Sequence, residues 1–158
     1  MTGRVAAVNV RTARADDRDF VLEAVARLAA FGVPEGRTEE EIVEAEARAL
    51  RVFFDRCDAP ETLLVAEADG RAAGFMFLEE KEDYFTGDVH GHIGILVVTR
   101  QAEGRGVGAV LVRAAEAWAR SHGYSRLTLN VLDGNRRARA MYEHLGFRPD
   151  TVKYMKSL

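Results

Sequence analysis

The chain has 158 residues, a formal net charge of −3 and a single cysteine, Cys57. That length suits one domain, residues 1–158, with a core that buries about two-thirds of the unfolded surface. With 22 basic and 25 acidic residues and no face-length run of Lys or Arg, general attraction to nucleic acid or an anionic membrane is excluded, as is an internal disulfide. Residues 1–7 show no apolar signal core and no stretch approaches the ~20 apolar residues of a bilayer span, so the expectation is a soluble, cytoplasmic protein.

Val8 to Ala13 reads as a first strand, and Asp16 or Asp17 is placed to cap a helix that turns Phe20, Val21, Ala24, Val25 and Leu28 inward. Gly32-Val33-Pro34-Glu35-Gly36 breaks that helix. Thr38 with Glu41 spells a capping box, after which Ile42, Ala45, Ala49 and Val52 continue at helical spacing toward Phe53 and Phe54. Thr62 to Ala68 and Ala72 to Leu78 flank Asp69-Gly70, a pair suited to a tight turn, and predict an antiparallel hairpin. Glu79 to Gly91 then reads as a polar connection.

Ile93 to Val98 is apolar at consecutive positions, as in a central strand covered on both faces, and Gly94 within it marks a bulge or a close approach. A glycine-rich turn from Arg100 to Ala109 opens a helix with the stripe Val107, Val110, Leu111, Ala114 and Trp118, closing near His122-Gly123. Leu127, Leu129 and Val131 alternate as the next strand, which makes one right-handed crossover between parallel neighbours. Asn135 to Leu145 reads as a last helix ending at Gly146, and Phe147 to Met155 as one or two terminal strands.

The turn is where a phosphate would sit. Gly104, Gly106 and Gly108 let successive backbone N–H groups face inward, and the following helix adds the positive end of its dipole. Gly104-x-Gly106-x-x-Ala109 formally satisfies the dinucleotide fingerprint, but the run of βαβ units and the acidic residue that belong with it are absent. A P-loop is excluded by the missing Gly-Lys-Ser/Thr ending.

Val98, Glu103-Gly-Arg-Gly-Val-Gly108 and Asn135-Arg-Arg-Ala138-Arg-Ala-Met-Tyr142-Glu-His-Leu-Gly146-Phe147 are similar to the two signature segments of the GCN5-related N-acetyltransferases (GNAT family). The order of elements resembles that family along nearly the whole chain. The resemblance implies an α/β (α+β) fold with a mixed, mostly antiparallel sheet of six to seven strands flanked by four helices. It also implies acetyl-CoA as co-substrate and acetyl transfer to a primary amine of a small cationic molecule or a Lys side chain. In this likeness the backbone of Leu96, Val97 and Val98 pairs with the pantetheine arm, and Gly104, Arg105, Gly106, Val107, Gly108 and Ala109 hold the pyrophosphate. Asn135 bonds the cofactor arm, Tyr142 protonates the departing thiolate, and no metal takes part. Self-association through the terminal strands is a habit of the family; nothing in the chain fixes it.

By spacing alone, Tyr142 belongs to the apolar stripe Ala138, Met141, Tyr142 and Leu145, and Asn135 is a helix N-cap. The chain also departs from the family pattern at two points. Glu103 stands where the family commonly has Gln or Arg, which points to weaker cofactor binding, and Gly94 aligns with the Glu that many relatives use as a base. A base is still needed, because an ammonium of pKa about 10 must lose a proton before it attacks. His92 is the first candidate, with Glu79, Glu80 or water alone as alternatives. His90-x-His92 lacks a third metal ligand. Acceptor choice is expected from Phe31 to Glu40 and from Glu79 to Gly91, whose carboxylates and whose Tyr84 and Phe85 would suit a cationic amine in a cleft. The missing Glu leaves a second reading open, a non-catalytic module that senses acyl-CoA.

Overall fold

The computed structural model describes residues 7–158, so the expectation of no leader falls largely on residues outside it. The described chain runs β1 (Val8–Thr12), α1 (Arg18–Ala24) continued by a 3-10 segment Val25–Phe31, α2 (Glu39–Asp55), β2 (Thr62–Ala68), β3 (Arg71–Glu82) and β4 (Val89–Val98). After these come a 3-10 turn Arg100–Ala102, α3 (Val107–Ser121), β5 (Leu127–Leu129) and α4 (Arg136–His144). The five strands lie in the order β1-β2-β3-β4-β5, antiparallel except for the parallel β4–β5 pair that α3 connects.

Local chemistry accounts for most boundaries. Thr38 and Glu41 form the expected reciprocal cap of α2, with the Thr38 N–H donating to Glu41 Oε2 at 2.8 Å and the Glu41 N–H to Thr38 Oγ1 at 3.1 Å. Asp69 and Gly70, both at positive φ, turn the β2–β3 hairpin. Asp17 does not cap its helix with its side chain; its carboxylate accepts from the Arg14 N–H at 2.7 Å and from the Arg11 guanidinium at 2.7 and 2.9 Å.

β4 is covered on both faces as its composition predicts. Ile95 and Val97 join Leu63, Val65, Phe75 and Phe77 under α1 and α2, whereas Ile93 packs with Leu64, Met76, Leu78 and Leu111 under α3 and α4. Burying both faces of a strand removes about 25 cal/mol per Å² of apolar area from water, which is why the sheet centre needs no polar alternation.

Two expectations are corrected. Among the described residues the sheet has five strands rather than six to seven, because Phe147 to Met155 forms none. That segment buries almost nothing: Val152 is 71% exposed and Tyr154 90%, so little apolar burial offsets the entropy of ordering a strand, and Pro149 removes a ladder donor. Glu79 to Gly91 is mostly strand rather than connection. Glu79 pairs with His92, Glu80 with Gly91, Lys81 with His90 and Glu82 with Val89, and only residues 83–88 form the loop. Asp83 closes that loop by accepting from the Phe85 and Thr86 N–H groups, and Arg126 pairs with Asp83 and Asp88.

Candidate functional site

β4 and β5 part company half-way along β4. They pair at Gly91–Leu127, His92–Thr128 and Ile93–Leu129, and there β5 ends. From Ile95 to Val98, β4 keeps its antiparallel partner β3 but has no strand on its other side among the described residues, so the backbone of Leu96, Val97 and Val98 borders an open wedge. Unpaired strand-edge amides and carbonyls of this kind will bond an extended ligand laid along them.

The glycine turn lies at the wide end of that wedge. Gly104 and Gly106 sit at φ 73° and 79°, and Gly106 is the N-cap of α3. No side chain caps that end, so the leading N–H groups of Val107, Gly108 and Ala109 are left to an outside acceptor beside the positive end of the helix dipole. Arg105 pairs with Asp69 at 2.6 Å and ties the turn to the β2–β3 hairpin. Glu103 is ion-paired with Arg137 of α4 at 3.0 Å and with Arg27, and Arg137 foremost holds its carboxyl below the usual range. In place of a bare negative charge beside the uncapped turn, the carboxylate is matched by two guanidinium groups. This pairing was not legible from Glu103 alone, because its partners lie 76 and 34 residues away.

α4 begins at Asn135 and packs Tyr142 into the cluster that takes in Leu96 and Val98 of β4, with Met141 over Gly108. The side-chain oxygen of Asn135 accepts from the Ala138 N–H at 3.1 Å, so it is an N-cap, and its amide N–H groups stay available as donors. Tyr142 is 8% exposed, packs edge-to-face on Phe147 with ring centres 5.7 Å apart, and belongs to the core cluster beneath α3. Burial pushes its phenol up to about 12, so it stays protonated.

On the sheet face covered by α1 and α2, the strand ends carry the polar groups. His92 and His90 are both buried and share one hydroxyl: Thr128 Oγ1 lies 2.8 Å from His92 Nδ1 and 3.0 Å from His90 Nε2. A hydroxyl donates one proton, so the two rings are coupled, one accepting from Thr128 while the other donates to it. Burial, then the charge of Lys81, lowers the His92 pKa and keeps the ring neutral. Glu79, opposite His92 in register, lies 3.5 Å from Lys81 Nζ. Tyr84 and Phe85 line no cleft; they meet edge-to-face at the loop tip, 94% and 82% exposed. Glu80 faces the other side, where Tyr124 donates to it.

The structure therefore runs the open β4 edge into the glycine turn, packs Tyr142 in the cluster that takes in Leu96 and Val98, and holds His92 beside Thr128 at the strand ends. A model of the acetyltransferase (GNAT) family matches residues 25–147. The chain belongs to that family. This GNAT chain is 32% identical over 112 residues to a mycothiol acetyltransferase of Thermomonospora curvata, covering 71% of the chain and 35% of that relative. It is 32% identical over 87 residues to aminoglycoside N(6')-acetyltransferase type 1 of Stenotrophomonas maltophilia, covering 53% and 57%. It spans 24% to 42% of the length of the mycothiol acetyltransferases it matches. Among solved structures, aminoglycoside N-acetyltransferase AAC(6')-Iy in complex with CoA superposes with a TM-score of 0.70 at 18% identity, covering 99% of both chains, a likeness of fold. No helix among the described residues is long and apolar enough to cross a membrane.

Proposed function

We propose that this GNAT chain moves an acetyl group from acetyl-CoA directly to a primary amine of a small cationic molecule or a Lys side chain. The observation that carries the reading is the open β4 edge from Gly94 to Val98, ending at an uncapped glycine turn. The chemistry of that wedge fits the co-substrate: a strand edge for the amides of the pantetheine arm, then unpaired N–H groups and a helix dipole for the pyrophosphate. The backbone of Leu96, Val97 and Val98 would take the first part, Gly104 to Ala109 the second, and the Asn135 amide would donate to the arm.

Bound there, acetyl-CoA supplies the acetyl thioester. Tyr142 donates a hydrogen bond to the sulfur as negative charge gathers on it. Tyr142, whose phenol burial keeps protonated, would pass its proton to the departing thiolate and recover one that the amine sheds. His92, neutral through burial, and Glu79 opposite it on β3 are the two candidate proton acceptors at the strand ends. Relatives named for mycothiol and for aminoglycosides support an amine acceptor.

A thiol-release assay with acetyl-CoA against a linear polyamine, an aminoglycoside and a lysine peptide, beside calorimetric titration of acetyl-CoA, tests the proposal. Turnover with a member of the panel is expected. Binding without turnover on a broad panel would instead favour the sensing module, and no binding would end the acetyl-CoA reading.

A further inference from the structure

β4 carries one residue more than β3 at the point where the wedge opens. Phe77 faces Ile95 and Leu78 faces Ile93, which leaves Gly94 as the extra residue of a bulge. A side chain at Gly94 would point onto the face of Phe77, with its Cβ 3.5 Å from Phe77 Cδ1 and 2.8 Å from Glu79 Oε2. The space a side chain would take at position 94 is thus filled by a carboxylate reaching across from β3. Gly94 is also the first β4 residue beyond the pairing with β5, so this carboxylate stands at the apex of the wedge. Glu79 also lines a cavity of about 300 Å³ against Ala49, Val52 and Phe53 of α2 and Phe77.

The groups around Glu79 define its electrostatics. Lys81 lies 3.5 Å away on its own strand, His92 stands opposite on β4, and Arg48 and Glu61 line the same cavity. From α2, Glu46 feels it: burial first, then the charge of Glu79, raises the Glu46 carboxyl. His92 is the less accessible of the cross-strand pair: the residue is buried with its Nδ1 engaged by Thr128, whereas the Glu79 side chain is partly exposed.

We propose that the Glu79 carboxylate, directly or through one water, takes the first proton from the acceptor ammonium, with His92 as a positioning neighbour; this rests on the acetyltransferase reading. The proton leaves R–NH3⁺ for Glu79 and then solvent. The freed nitrogen lone pair forms the C–N bond to the acetyl carbon, the C–S bond breaks, Tyr142 gives its proton to sulfur, and the nitrogen's second proton replaces it. The products are R–NH–acetyl, CoA thiol and one proton released.

The test compares wild type, Glu79→Gln, Gly94→Ala and His92→Gln on the panel amine that wild type acetylates fastest, with kcat and KM followed from pH 6 to pH 10 and acetyl-CoA affinity by calorimetry. Glu79→Gln is expected to lose about 100-fold or more in kcat at pH 7, with the loss closing as pH nears the amine's own pKa, at unchanged acetyl-CoA affinity. Gly94→Ala leaves both charges in place but pushes the carboxylate aside, and is expected to cost on the order of 10- to 100-fold. A KM effect alone in Glu79→Gln, an unaltered pH profile, or closure at high pH in His92→Gln instead would overturn the assignment. Wild type that binds no acetyl-CoA sinks the family-based reading itself, and this assignment with it.

Discussion

Tyr142 is at once part of the core and the proposed proton donor, and one substitution separates the two roles. Tyr142→Phe keeps the ring contact with Phe147 and removes only the hydroxyl. We expect kcat to fall about 10- to 100-fold, with acetyl-CoA affinity and melting temperature nearly unchanged, as kinetics, calorimetry and thermal melts will show. His92 makes a second residue-scale prediction. Its folded pKa lies below the ordinary 6.5, so the unfolded chain binds the extra proton; the stability it gives is full above about pH 6.5 and declines as pH falls from there toward the folded value. His92→Gln should flatten that acid limb in denaturant titrations at pH 7 and pH 5. The sequence names Tyr142 and the turn glycines from motif spacing and His92 from its ring chemistry at the strand entry; the structure packs Tyr142 with Val107 in one core cluster and pairs His92 of β4 with Thr128 of β5. Gly94 marked the bulge in the sequence, but Glu79 could not be placed over it, since the residue of the partner strand that fills the glycine's space is set by the register between the two strands.

Among the elements, the ones with local signatures were legible: the Thr38–Glu41 box that starts α2, the Asp69-Gly70 turn and the Asn135 cap of α4. The hairpin extension through Lys81 and His90 was not, because charged residues beyond the core read as loop until the partner strand is known. The tail shows the opposite error, Phe147 to Met155 read as strand where almost nothing is buried. The glycine turn is held by elements rather than by its own sequence: Glu103 links it to α4 through Arg137 and to the 3-10 segment through Arg27, whose Nε is already buried without a partner. Glu103→Ala should lower the melting temperature and weaken acetyl-CoA binding, because it leaves Arg27 unpaired beneath the turn and frees the turn to move. Affinity that rises instead would mean the carboxylate repels the pyrophosphate, as its position in the sequence first suggests.

The whole molecule is a sheet whose antiparallel half is closed on both faces and whose parallel half is split to admit a ligand. The order of elements made this fold legible, and what it could not supply was how far β5 runs. If the wedge takes acetyl-CoA, ligand at 100 times its dissociation constant adds about 2.7 kcal/mol, and the melting temperature should rise by roughly 5–10 °C. CoA lacking the acetyl group should do nearly as well, since the wedge grips the arm and the pyrophosphate. One consequence follows from the brevity of β5. Its three half-buried residues have a single neighbour and form the sheet's margin, whereas β3 is flanked along its length by β2 and β4. Deuterium should therefore enter the amides of residues 127–129 long before those of β3, and saturating acetyl-CoA should slow exchange in β4 from Leu96 to Val98 more than anywhere in β2.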